Sequence, residues 1–386
     1  MNFIALRMLL GDRAKYFGLL FGIAFVSLVI TQQCAVFIGL MSRTIAPITD
    51  TGIADVWVTD PKVQYVDDIK PMQDTALLRV RGIEGVEWAL PLYKSLLRAR
   101  LHDGRFQSVH VFGLDDASLA GGPPEMIEGS MHDLRRADAV IVDITGANGK
   151  LAKPPAKPGG KPTPLQIGDT LEINDHRAVV VGICKVSRTF QSQPVVYTTY
   201  SRAVQFAPKE RKLLSFILVK AKTGVDLDAL CRRIQETTRL MAYTKDSFRE
   251  LTMRYYMKYT GIPINFGTAV ALGFLVGIAI AGQVFYSFTL DNLKHFGALK
   301  AMGASNGKLL QMIFVQVFHV AAIGYGIGVG AASLFGYIFR GTELAFRLPW
   351  QLLLITACAV LFISLGAAIL SLLKVMKLEP AVVFKN

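Results

Sequence analysis

Apolar residues in this chain gather into four long runs, and a stretch of very different texture separates the first run from the second. The runs cover 17–40, 266–290, 312–339 and 352–373, and none carries Asp, Glu, Lys or Arg. About 20 such residues cross roughly 30 Å of hydrocarbon as a helix, so each run predicts a membrane span. Arg7, Arg13 and Lys15 precede the first run, as they would a signal peptide. The run is too long for that role, however, and no small-x-small cleavage site follows it. Gln33 also stands before Cys34, where a lipoprotein signal needs a small residue. The first run therefore reads as an uncleaved anchor. Phe3, Leu6 and Leu10 recur at helical spacing ahead of it and predict a short amphipathic helix along the inner surface.

Between 42 and 260 the pattern is that of a soluble α+β domain. Strand-like runs at 54–59, 108–113, 139–143, 178–184, 195–198 and 216–220 are rich in β-branched residues and bounded by turn formers. Asn174-Asp175 predicts a tight turn joining 170–173 to 177–183. Asp226 is a candidate cap for a helix whose inner face is Leu227, Leu230, Ile234 and Met241. The Lys- and Pro-rich segment 151–166 has too little apolar content to fold by itself and predicts an extended, mobile loop. Asp246 would cap a stalk helix over about 246–260. Tyr255, Tyr256 and Tyr259 would mark the head-group layer, and Pro263 would kink the path into the second span.

The expected architecture is an α-helical membrane protein with four transmembrane helices plus a large extracytoplasmic α+β domain between the first and second. In order, these are a cytoplasmic amphipathic helix (1–15), helix 1 (16–41), the external domain (42–260), helix 2 (261–290) and a cytoplasmic segment (291–311). Helix 3 (312–339), an external loop (340–349), helix 4 (350–373) and a cytoplasmic tail (374–386) complete the chain.

Charge sets the orientation. The 42 basic residues outnumber the 29 acidic ones, but they form no stripe interleaved with aromatics, so nucleic acid is not an expected partner. Instead Arg7, Arg13, Lys15, Lys294, Lys300, Lys308, Lys374, Lys377 and Lys385 collect at one side of the spans, against Arg340 and Arg347 in the short loop opposite. The positive-inside rule makes both termini cytoplasmic.

Candidate chemistry is sparse. There is no GxxxxGK[ST], HExxH or GxSxG motif and no CxxC or Cys–His cluster, so neither catalytic nor metal-binding residues nor a bound cofactor are expected. Cys184 and Cys231 either form a disulfide or are two separate buried thiols. Asp67-Asp68 and Asp115-Asp116 read as solvated turns. His319 is the one ionisable group deep in a span, and without a carboxylate partner it makes no proton relay. Glycines at four-residue spacing (Gly18/Gly22, Gly273/Gly277, Gly324/Gly328, Gly326/Gly330) either permit close helix contact or are tolerated in lipid-facing helices.

The segment after the second span is the most specific. Asp291 or Asn292 can cap a short helix carrying Leu293, Phe296 and Leu299 on one side, Gly303 can end it, and Ser305 can start the next. Such an element either docks into a groove on a soluble partner or is an ordinary interfacial helix. The text NLKHFGALKAMGASNGKLLQMIFVQ resembles the corresponding segment of ABC-transporter permeases of the MacB/FtsX-like superfamily, closest to DevC-like export permeases, and the ending LLKVMKLEPAVVFKN is similar to their terminal signature. The resemblance covers the whole chain. It implies a permease homodimer in a bacterial inner membrane, driven by a separate ABC ATPase subunit that holds the ATP and Mg. It further implies efflux through a periplasmic adaptor protein and an outer-membrane channel. Leu293, Lys294, Phe296, Leu299, Lys300, Met302 and Gly303 would then receive the ATPase's motion, and Tyr255, Tyr256, Tyr259 and Pro263 would lie on the stalk carrying it outward. The alternatives are a lipoprotein-release or cell-wall regulatory subunit of the same superfamily, or a membrane-anchored sensor or scaffold without an ATPase.

Overall fold

A computed structural model describes residues 2–155, 160–208 and 214–376, with side chains described to residue 369. The chain forms two compact units, one of residues 1–40 and 261–386, the other of residues 41–260.

In the first unit α1 (Asn2–Gly11) leads into α2 (Arg13–Thr44), and after the inserted unit come α9 (Ile262–Asp291), α10 (Leu293–Ala301), α11 (Asn306–Ile338) and α12 (Trp350–Met376). Among the described residues α2, α9, α11 and α12 are the four helices long and apolar enough to cross a membrane. The N-terminal helix packs by a different face from the one its periodicity suggests. Ala5 and Leu9 are buried while Phe3 and Leu10 are exposed, and the buried Gln316 side chain donates to the Ala5 carbonyl at 2.8 Å. That bond meets a backbone acceptor in an otherwise apolar interior, where an unpaired amide is costly.

Glycines set how closely the spans approach. A Cβ on Gly277 would lie 2.6 Å from Val26, and one on Gly273 3.2 Å from Val29. One on Gly22 would lie 3.0 Å from Ile280 and one on Gly18 3.9 Å from Val284, so α2 and α9 run antiparallel in close contact. On its other side α2 meets α11, where a Cβ on Gly328 would lie 2.5 Å from the Ala24 carbonyl oxygen and the Ser27 Cβ, and one on Gly324 2.8 Å from Ile23. Gly326 and Gly330 face open space. Gly328→Leu therefore forces backbone apart and is expected to cost about 1–3 kcal/mol by overpacking, lowering the detergent melting temperature, whereas Gly326→Leu leaves it unchanged. Equal melting temperatures for the two variants would contradict the packing.

Among the described residues the inserted unit is built on ten strands. These are β1 (Val56–Thr59), β2 (Val86–Arg100), β3 (Phe106–Leu114), β4 (Glu125–Glu128), β5 (Ala139–Asp143), β6 (Thr170–Ile173), β7 (His176–Lys185), β8 (Val195–Thr199), β9 (Phe216–Ala221) and β10 (Met241–Thr244). The long β2 serves two sheets. Its first half pairs with β9, which continues to β1 and β10. Its second half pairs with β3 and β6, and the ring β2–β3–β8–β5–β7–β6 closes into a six-stranded barrel. Alternate residues such as Val109, Val111, Val140, Val142, Val180 and Val196 fill its interior.

On the four-stranded sheet, α4 (Thr75–Arg81) and α7 (Leu227–Thr238) cover the face of Val56, Val58, Ile217 and Val219. Asp226 caps α7, accepting from the amides of Asp228 and Ala229. The helix stops earlier than its apolar spacing suggests, because Arg239 turns left-handed (φ 60°) and Met241 enters β10. Asn174 and Asp175 take positive φ (49° and 66°) in the β6–β7 turn. The Pro-rich segment is pinned at its base by reciprocal Lys153–Thr163 backbone bonds (2.8 and 3.0 Å), with Leu151 and Leu165 in the barrel core. The centre of that segment, 156–159, lies outside the described residues. Cys184 and Cys231 are separate free thiols in different cores, and burial pushes the Cys231 thiol up to about 11.

Candidate functional site

The C-terminal end of α9 leads straight into α10. Asn292 joins them, its side-chain amide donating to the Phe288 carbonyl at 2.9 Å and so satisfying one of the last acceptors of α9. Gly303, at φ +92°, stops the chain after α10, and Ser305 precedes α11 without a side-chain cap bond. The nine-residue α10 is too short to be stable alone. Phe296 seats it, fully buried in the same core as Leu19, Ile23, Phe285, Phe288 and Met312, with Leu293 and Leu299 packed half-buried beside it.

The apolar side of α10, with Phe296 buried and Leu293 and Leu299 half-buried, is thus packed in the chain's own core. Lys294, His295, Ala298 and Met302 look outward instead, Met302 being 75% exposed, while Lys300 is half-buried. Lys294, Ala298 and Met302 fall one helical turn apart, in a single stripe.

In the inserted unit, α8 (Lys245–Tyr259) follows β10 directly. Its cap is Thr244, whose hydroxyl accepts from the Ser247 amide at 3.2 Å; the expected cap, Asp246, lies in the first turn and pairs with Arg249 at 3.2 Å. Phe248 inserts against Trp57, Phe216 and Tyr243 at ring separations of 5.6, 6.0 and 5.6 Å. Toward the other end, Tyr256 is buried and Tyr255 stacks on Tyr65 at 4.2 Å, so these two rings belong to the domain and only Tyr259 is widely exposed. The helix then ends: Thr260 is extended and Gly261 precedes α9, with Pro263 in the first turn of α9. Pro263 starts a new helix, where its missing N–H costs nothing, and does not kink a continuous one.

Residues 60–72 form a strap over α8. The Val66 amide donates to Thr252 Oγ1 at 3.3 Å, Tyr65 packs on Tyr255 and Tyr256, and Asp67 pairs with Lys94 of β2. Lys94 is only 1% exposed and lies 5.7 Å over the Phe112 ring. Burial alone would raise the Asp67 carboxyl, but the Lys94 ammonium and its hydrogen bond hold it below its ordinary value. His110 on β3 is buried beside them, with no hydrogen-bond partner for Nδ1 among the described residues. Burial, helped by the Lys94 charge and opposed by Asp67, drops His110 to about 4, so the ring is neutral. Asp67 is therefore not the solvated turn residue that its Asp-Asp sequence suggests. The signal for this cluster is Lys94 itself, a lone cation inside an apolar stretch. Asp115 and Asp116 do sit in exposed turns, bonded to Ser118 and Ser201. His319 has Tyr16 Oη 3.5 Å from Nε2.

The model of the MacB-like periplasmic core domain matches residues 16–237, and that of the FtsX-like permease C-terminal region matches 252–380. The chain belongs to the MacB/FtsX-like family of ABC transporter permeases. It is a multi-pass membrane protein with a large extracellular domain, and an ABC permease works with an ATPase partner. An uncharacterised ABC transporter permease of Mycobacterium tuberculosis is 24% identical over 318 residues, covering 81% of this chain and 79% of that one. Another from Methanocaldococcus jannaschii is 25% identical over 170 residues, covering 43% and 42%. The periplasmic region of MacB from Actinobacillus actinomycetemcomitans aligns with a TM-score of 0.35 at 12% identity, covering 55% of this permease and 95% of that structure.

Proposed function

We propose that this permease transmits ATP-driven motion from a separate cytoplasmic ATPase, which holds ATP and Mg, to its extracellular domain, and that it works as a homodimer. The termini and α10 are cytoplasmic in this reading, following the basic residues that flank the spans. The observation that carries it is the seating of α10. Phe296 anchors it in the membrane unit's core, so that force on its outward stripe moves the unit and not the short helix alone. Chain continuity then runs through α9 and, across Thr260 and Gly261, to α8, which Phe248 and the 60–72 strap fix to the domain. Efflux through a periplasmic adaptor and an outer-membrane channel is the proposed output, since the domain is the part that motion reaches.

The test is co-purification of tagged permease with a co-expressed ABC ATPase from the same organism. Ala298→Asp/Met302→Asp is expected to leave the permease folded and to reduce captured ATPase at least tenfold. Phe296→Ala should instead destabilise the permease itself, by about 3–5 kcal/mol of lost packing, and so lower its melting temperature. Wild-type capture by the stripe variant would remove the proposed contact.

A further inference from the structure

The two helices that join the extracellular domain to the membrane unit, α2 entering and α9 leaving, are in close antiparallel contact from Gly18 and Val284 to Val29 and Gly273, and Phe37 meets Phe266 beyond that, at 5.5 Å between ring centres. At the cytoplasmic end the pair is closed by charge. Lys15 Nζ pairs with Asp291 Oδ2 and lies 3.1 Å from Asp12 Oδ2, while Asp12 Oδ1 accepts the Lys15 amide at 3.2 Å. Asp12 thus caps the start of α2, and Asp291 is the last residue of α9, next to the Asn292 junction with α10. Half-exposed ion pairs of this kind add about 0–1 kcal/mol, too little to explain the bridge as a device for stability. Its location is what distinguishes it, because it ties the helix that does not carry α10 to the end of the helix that does.

We infer that Lys15 is a positioning residue: by bridging Asp12 and Asp291 it makes α2 and α9 one lever, so that displacement of α10 reaches both ends of the extracellular domain together. The inference rests on the function proposed above. Without the bridge, motion of α10 would enter α9 alone and dissipate as sliding along the glycine contacts.

The test uses full-length permease with its native cysteines replaced by alanine, purified with the co-expressed ATPase. Lys15→Cys/Asp291→Cys is expected to be bridged within one chain by a short bismaleimide cross-linker, counted by loss of maleimide–polyethylene glycol labelling, and the cross-linked complex should keep more than half of its ATP hydrolysis. In the protein with native cysteines, Lys15→Asp should still capture the ATPase but lower permease-coupled hydrolysis about tenfold, and Lys15→Asp/Asp291→Lys should restore it to within twofold. Failure to cross-link, loss of hydrolysis on cross-linking, or failure of the charge swap to rescue would each overturn the lever. An ATPase that binds wild type and ignores Lys15 overturns the lever alone. An ATPase that never binds wild type overturns the proposed function, and the lever with it.

Discussion

Lys94→Met is expected to destabilise the extracellular domain by about 3 kcal/mol, the lower end of the cost of breaking a buried ion pair. The ammonium is 1% exposed, and its removal strands the Asp67 carboxylate among Tyr65, Tyr256 and His110, while the carboxylate's 26% exposure leaves some solvation and keeps the cost near that end. Adding Asp67→Leu should recover most of the loss, because replacing both partners with apolar side chains is often neutral. The readout is thermal unfolding of full-length permease in detergent, together with hydrogen exchange over 60–72 and 245–259. The local signature is specific: the strap should open and expose the Val66 amide bonded to Thr252. A single variant that melts like wild type, or a double no better than the single, would show that the pair does not hold the strap.

Acid should weaken the same region through His110. The unfolded imidazole takes its proton near pH 6.5, whereas the buried ring resists it until about 4. Between those values the unfolded state binds the extra proton, so stability falls as pH falls. The window of about 2.5 units corresponds to roughly 3 kcal/mol, with no further loss from this group once the folded ring also protonates. Asp67 acts lower down: its depressed carboxyl contributes stability above the ordinary carboxylate pKa and loses it only as pH drops through the folded value. Melting temperatures from pH 7 to 4 should therefore decline in wild type and flatten over 6.5–4 in His110→Leu. Parallel slopes in the two proteins would place the acid sensitivity elsewhere.

How far each feature was legible follows from how local its cause is. Six strand runs matched the pattern of β-branched residues, because each is a short, locally enriched stretch bounded by turn formers, and several are buried along their whole length. The fifteen-residue β2 did not stand out, since Pro91 and Lys94 interrupt its text. Both are tolerated through contacts elsewhere in the chain, Pro91 opposite Ile217 and Lys94 against Asp67. The α10 segment was legible as a short helix ended by Gly303, but Asn292 turns its side chain back to α9 instead of capping α10, and which side the core buries was not legible. Phe296 and Leu299 are the residues a docking face would use, and they are equally the residues an intramolecular core would use.

By itself the sequence determined the membrane spans, the place of the inserted domain and the permease text after the second span, because hydrocarbon length and helix capping are read from neighbours in the chain. The tertiary structure decided which residues are spent inside: Phe296 under α10, Gly328 against Ala24, and Lys94 beneath the strap. Those outcomes depend on partners tens to hundreds of residues away, and the burial of a side chain is a property of the pair that meets, not of either residue alone.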